Sequence, residues 1–478
     1  MSSSVATTST STSGIPHHRH PSHHHEDGEG QDVLISTEAS PLFAKIKTHL
    51  SFMTDDDDVY QRRRKDLKSK FLKYLTEPKK SWIILLGFIL LLLTLIMGYF
   101  EDFPTSLRFQ GSSSSSSSRG IPVEDAIEHY IPIPSTSTNH MKLWFRTWGK
   151  AVEHGGIPVV FFHGGPGNAI ADYFGNSNKR FFDKDRFFVV EVDQRGTGKS
   201  QPSVRDSWKN MKYYADISID QICDDFEIIR KYLNIDRWIV WGGSFGSTLA
   251  INYGERYPKS TLALFLRGIY LDTKEEVSAV YAQHSYLNNP KRLKEFNILY
   301  DYAAQYVKDK ENKNGDEPLL LLDPNDAERL MRIYAEMITN GDHSAIWHWF
   351  VFENNLMEID PKYLLDPNNI DEQYLPEALS VAFFETRLWI HGSYELPTSD
   401  LLSIQNLNQL TMPMWICQGQ HDEVCPSKYA KHFVSEVENV DRSPRIVSRF
   451  LNATHEDTDP ELEDCLKRSL EEFVDIYY

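Results

Sequence analysis

From about residue 125 onward, apolar residues gather into short, nearly unbroken runs. VVFFH (159–163), FFVVEV (187–192), WIVWG (238–242), LALFLRG (262–268), MPMWICQG (412–419) and RIVSRFL (445–451) each read as a strand buried on both faces. Helix-patterned stretches such as DDFEIIRKYL (224–233) separate them, so the strands are expected to run mostly parallel. HYIPIP (129–134) and MKLWFRTW (141–148) form a leading hairpin. Strand alternation disappears between about 271 and 400, where successive helices are expected. The pattern therefore predicts an α/β core in two parts, 122–270 and 401–478, with a helical cap inserted at 271–400.

Upstream the pattern changes. Residues 1–41 are rich in Ser, Thr and His with few apolar positions, and a chain of that kind cannot bury enough surface to order itself. Residues 1–80 are thus expected to be a tail, disordered at first and basic towards its end. Residues 82–100, WIILLGFILLLLTLIMGYF, are 19 positions without a charge, about the length of a membrane-spanning helix. They lie too deep in the chain for a removable signal peptide. Nine Lys or Arg fall within 61–80, against Arg108 and Arg119 alone in 101–120, so the positive-inside rule keeps the tail cytosolic. The expectation is a transmembrane helix at 81–100, a Ser-rich linker at 101–121, and a single-pass type II protein whose C-terminal part is luminal or extracellular.

The chemistry centres on WIVWGGSFGSTL, residues 238–249. Ser244 is flanked by Gly242 and Gly246 where a strand-like run gives way to a helix-like one, the pattern of a nucleophile elbow. A tight turn there needs glycines because side chains would collide with the flanking elements. Asp422 follows the run at 412–419 and His455 the run at 445–451, so acid and base both stand just past strand ends, in the order nucleophile, acid, histidine. His455 would accept the proton of Ser244, and Asp422 would orient the imidazole. HGGPG (163–167) ends another strand, and its Gly165 N–H together with the Phe245 N–H would receive the oxyanion. His421 adjoins the acid and His391 lies in the predicted cap, which leaves both poorer bases.

HGGPG (163–167), DQRGTGKSQP (193–202), GGSFGSTLA (242–250) and RGIY (267–270), in this order, resemble the proline iminopeptidase family of α/β-hydrolases. The likeness runs from about residue 125 to the C-terminus. It departs from the family at Asn168-Ala169, at Phe245 where tryptophan is usual, and in the turns GQHD and THE around the acid and the histidine. The resemblance implies a serine exopeptidase with an α/β-hydrolase core, acting on peptides with a free N-terminus, preferably proline, through a Ser-His-Asp triad and an acyl-enzyme. It also implies carboxylates in the cap that grip the substrate amine. AIWHWFVFE places Glu353 and AFFETRLWI places Glu385 at these positions, with Trp349 among the aromatics beside a proline ring. No metal and no organic cofactor is implied. In DQRGTGKSQP, Asp193 and Arg195 are expected to form a structural ion pair that shapes the loop.

The net charge of −18, with no basic patch in the catalytic region, argues against nucleic-acid binding. Four cysteines, 223, 417, 425 and 465, are too few for a disulfide scaffold, and the residues leave open whether Cys417 and Cys425 pair across the acid turn. Asn452-Ala453-Thr454 matches a glycosylation acceptor three residues before His455. Two other functions fit the same residues. An esterase or lactonase of the same fold would not use Glu353 and Glu385 on an amine, and a non-catalytic ectodomain would not need an intact triad.

Overall fold

The computed structural model describes residues 126–134, 140–170, 177–314, 322–357, 361–395, 400–440 and 443–478. The expected tail, transmembrane segment and linker lie outside them. Among the described residues no helix is long and apolar enough to cross a membrane.

Eight strands form one sheet: β1 (Ile127–Pro132), β2 (Lys142–Gly149), β3 (Ile157–Phe162), β4 (Phe187–Val192), β5 (Trp238–Gly243), β6 (Thr261–Arg267), β7 (Met414–Gly419) and β8 (Ile446–Leu451), in the order β1-β2-β4-β3-β5-β6-β7-β8. β1 pairs antiparallel with β2, the predicted hairpin, and β2 antiparallel with β4. Every other pair is parallel. Residues of β3, β5 and β7 are buried throughout, which is why their sequences are continuously apolar rather than alternating.

Successive side chains serve opposite faces. Val160, Val190, Val240, Leu264 and Ile416 pack on one side with Phe226 of α1 (Ile219–Tyr232), Leu249 of α2 (Phe245–Arg256) and, from a later helix, Phe433. Val159, Val189, Ile239, Phe265 and Trp415 pack on the other side with Leu466 and Phe473 of the last helix. The sheet is therefore sandwiched between helical layers.

Between β6 and β7 the described residues form α3 (Lys274–Tyr281), α4 (Pro290–Asn314), α5 (Ala327–Thr339), α6 (His343–Met357) and α7 (Leu375–Trp389), followed by a short π-helical turn, Ile390–Glu395. These are the helices expected for the cap. A capping box starts α3: Thr273 Oγ1 accepts from the Glu276 N–H at 3.2 Å, and Glu276 Oε2 accepts from the Thr273 N–H at 3.1 Å. The chain returns through α8 (Ile404–Leu407) to β7, then α9 (Ser427–Glu438), β8 and α10 (Pro460–Tyr477).

One pairing left open in the sequence is settled here and one expected pairing is replaced. Cys417 of β7 bonds to Cys465 of α10, while Cys425 is free and buried, so the acid turn is not closed by a bridge. Arg195 pairs with Asp225 of α1 at 2.6 Å, not with Asp193. Asp193 instead accepts the backbone N–H of Ile170 at 2.7 Å and of Lys199 at 2.8 Å, pinning the two loops beside the site.

Candidate active site

Ser244 stands between β5 and α2 with φ +56 and ψ −135, a backbone conformation that a non-glycine residue adopts only under constraint. The flanking glycines supply the room. A Cβ on Gly242 would lie 2.2 Å from the Gly246 carbonyl oxygen, and one on Gly246 would lie 2.1 Å from the Phe162 carbonyl oxygen. The turn is tied from behind, where the Ser244 N–H donates to the Arg267 carbonyl at 3.1 Å.

Asp422 and His455 emerge from the ends of β7 and β8 and meet. His455 Nδ1 lies 3.0 and 2.9 Å from the two carboxylate oxygens of Asp422. The carboxylate is held in turn by the N–H groups of Val424 at 3.0 Å and Cys425 at 2.7 Å, and by Gln418 Nε2 at 3.3 Å. A proton fixed on Nδ1 leaves Nε2 as the basic nitrogen. Gly268, at φ +50, lies between the imidazole and the elbow: the point where its Cβ would stand is 3.1 Å from His455 Cε1 and 3.5 Å from the Ser244 nitrogen. The described residues contain no hydrogen bond between Ser244 Oγ and the imidazole. In unliganded hydrolases this contact is often long and tightens when substrate arrives.

Ser244 and His455 share the wall of a cavity of about 400 Å³ with Gly164, Gly165, Glu353 and Glu385. Gly164 approaches so closely that its Cβ would sit 3.1 Å from Ser244 Cβ. Gly165, at φ +108, lines the same wall, and Phe245 supplies the first N–H of α2 directly after the serine, while its ring is buried in the core. An N–H in the first turn of a helix has no partner within that helix and lies at the positive end of its dipole.

Glu353 of α6 and Glu385 of α7 converge on this cavity as a buried carboxyl pair. The Tyr281 hydroxyl donates to Glu353 Oε1, and Trp349 Nε1 donates to Glu385 Oε2 at 2.6 Å. Burial pushes Glu353 up to about 7. Burial, and then the charge of Glu353, push Glu385 well above the ordinary carboxylate range. Two acids this close and this dry cannot both ionise unless a cation joins them.

Trp349 is not where the sequence reading put it. It is fully buried behind Glu385, stacked on Tyr281 with ring centroids 4.8 Å apart, and is absent from the cavity wall. The apolar wall comes instead from Phe350, Met357, Val381 and Val424. Tyr281 and Arg267 were not singled out in the sequence. Arg267 lines the cavity and donates to the His455 carbonyl at 3.0 Å, steadying that loop. RGIY contained Arg267, but nothing in the chain marked Tyr281. Cys425 lies close to Asp422 and His455, and burial raises its thiol well above the usual range, so it stays protonated beside the serine.

A crossover sheet with a serine at a strained strand-to-helix turn and a coupled histidine and aspartate defines an α/β-hydrolase, and residues 157–300 match the family described as alpha/beta hydrolase fold. The chain is 29% identical over 286 residues to a "Probable proline iminopeptidase" of Leptolyngbya boryana, covering 58% of this chain and 76% of that protein. It is 28% identical over 309 residues to the "Proline iminopeptidase" of Arabidopsis thaliana, covering 62% of this chain and 70% of that protein. The protein of that name from Neisseria gonorrhoeae is 27% identical over 335 residues, covering 68% and 92%. The chain is thus similar to the proline iminopeptidases among the α/β-hydrolases, a likeness that supports a serine hydrolase of the prolyl aminopeptidase type.

Proposed function

We propose that the protein is a membrane-anchored serine exopeptidase that removes an N-terminal residue, preferably proline, from peptides. Ser244 Oγ attacks the carbonyl of the first residue while His455 Nε2 takes its proton, and Asp422 stabilises the imidazolium. The tetrahedral oxygen rests on the Gly165 and Phe245 amides. Collapse expels the rest of the peptide as an amine that receives the proton from His455. Water, deprotonated by the same imidazole, then releases the acyl group and regenerates the serine.

The observation that carries this reading is the buried Glu353–Glu385 pair in the cavity wall that also holds Ser244 and His455. An esterase has no use for two dry carboxylates opposite its nucleophile. A free α-ammonium or a prolyl secondary ammonium neutralises them, and its distance from the scissile carbonyl restricts attack to the first peptide bond. Assays with prolyl, alanyl and N-blocked prolyl arylamides test the assignment. Cleavage of prolyl arylamide with no cleavage of the blocked compound is expected; equal rates for the two would remove the exopeptidase reading.

The clamp makes substrate capture depend on pH. Glu353 titrates at about 7 because it is buried. Below that pH the empty pair is fully protonated and has no charge to offer. KM for a prolyl arylamide is therefore expected to rise as pH falls through about 7, while KM for an ester without an amine stays level. The ester serves as the control because it still depends on His455. Parallel profiles for the two substrates would contradict the clamp.

Anchoring rests on the uncharged residues 82–100 and on the excess of Lys and Arg before them. The Cys417–Cys465 bond suits an oxidising lumen or exterior. Protease treatment of sealed microsomes should digest the N-terminal tail and spare the hydrolase; loss of both would refute the type II orientation.

A further inference from the structure

Where the chain leaves the core for the cap, it meets the turn that closes the cap's last long helix. Asp272 stands just before the capping box of α3 and holds φ +56, a left-handed conformation that Asp and Asn tolerate better than most side chains. Ser393, in the π-helical turn after α7, donates its hydroxyl to Asp272 Oδ1 at 2.8 Å and shares it with the Asp272 carbonyl at 3.0 Å. Gly392 closes on the other carboxyl oxygen: a Cβ there would stand 1.9 Å from Oδ2, so glycine alone admits the approach. Asp272 and Ser393 are both buried. One side chain thus ties the start of the cap to the end of α7.

The same stretch is fastened to the helix of the nucleophile. The Tyr270 N–H donates to Ser247 Oγ at 3.0 Å, and Thr248 Oγ1 donates to the Tyr270 carbonyl at 2.7 Å. Ser247 and Thr248 belong to the first turn of α2, directly after Ser244. On the cap side, Glu385 precedes Gly392 by seven residues along α7 and the turn that follows it. Tyr281, which supports Glu353, lies on α3, and α3 begins two residues after Asp272. A run of buried contacts therefore joins Ser244 to both carboxyls of the clamp, and it passes through Asp272.

We propose that Asp272 is a positioning residue of the exopeptidase: by holding Gly392 and Ser393 against the exit of β6, it sets the spacing between Ser244 and the Glu353–Glu385 pair. The inference rests on the amine clamp proposed above. That spacing decides which bond is attacked, because the ammonium is held at one end and the carbonyl must reach the serine at the other. It also keeps the two carboxyls dry, since slack in α7 would let water reach them. Burial pushes the Asp272 carboxyl well above the ordinary carboxylate range, more than the Ser393 hydroxyl pulls it back. The tie is thus made by a neutral acid, and asparagine has the same shape, the same acceptor and the same tolerance of the left-handed backbone.

Kinetics of three variants of the full chain, on a prolyl arylamide and on a simple ester, test the role. Ser393→Ala removes the tie with little change of volume. At alkaline pH, where the clamp is charged, it raises KM for the arylamide about three- to tenfold, the worth of one buried hydrogen bond, and leaves ester hydrolysis unchanged. Its rise in KM on acidification also sets in below the wild-type pH, because water reaching Glu353 lowers the proton affinity that burial raises. Gly392→Ala, driven against Oδ2, shows the same changes more strongly, whereas Asp272→Asn keeps the wild-type KM and profile. Equal losses on ester and arylamide in Ser393→Ala, a KM and pH profile unmoved in that variant, or an Asp272→Asn that behaves like it overturns the proposal. Parallel pH profiles of the wild type on the two substrates remove the clamp itself, so the two failures are told apart.

Discussion

Ser244→Ala is expected to lower kcat on a prolyl arylamide by about 10⁶-fold, the loss seen when a triad nucleophile is removed from a serine hydrolase. The reason lies in the turn. The backbone at φ +56 holds the hydroxyl beside Gly164 and within the wall that His455 shares, and among the described residues lining that wall Ser244 alone carries a hydroxyl or thiol. The thiol of Cys425 stands beside the serine, but burial raises it well above the usual range and keeps it protonated. Alanine keeps the strained turn and the glycines that permit it, so the variant is expected to fold and to bind substrate. Steady-state kinetics with an active-site-titrated wild type as reference checks this. Residual activity above a hundredth of wild type would point to another nucleophile.

The second large effect belongs to the clamp. Replacing both Glu353 and Glu385 with Gln should lower kcat/KM for free-amine substrates by about 10²–10⁴-fold. Leaving a buried charge without its partner costs about 3–5 kcal/mol, and about 1.4 kcal/mol corresponds to a factor of ten. Gln retains a carbonyl oxygen for the Tyr281 hydroxyl and for Trp349 Nε1, so the supporting contacts survive. Hydrolysis of a simple ester should change little, because Ser244, His455 and Asp422 are untouched. That split separates amine recognition from general damage. Equal losses on ester and amide would mean that the two carboxyls shape the cavity and do not grip the substrate.

Much of this was legible in the chain because the chemistry is local to strand ends. β3, β5 and β7 advertise themselves as continuous apolar runs, and the turns after β5, β7 and β8 carry the serine, the acid and the histidine within a few residues. What the sequence hid depends on helices docking across long separations. Tyr281 meets Glu353 across 72 residues, and only the cap fold brings α3 against α6. α6 is buried nearly all round, so no stripe of its apolar residues marks a substrate face, and Trp349 could not be told from its neighbours. Its true position behind Glu385 follows from the stacking on Tyr281. The Cys417–Cys465 bond, across 48 residues, and the Arg195–Asp225 pair were likewise invisible to spacing.

A serine-directed fluorophosphonate, followed by peptide mapping of the full chain, puts the core of the account to trial. If the imidazole at 455 primes the hydroxyl at 244, the adduct falls on Ser244 alone and forms far more slowly in His455→Ala. An adduct on another residue, or labelling of His455→Ala at the wild-type rate, would contradict it.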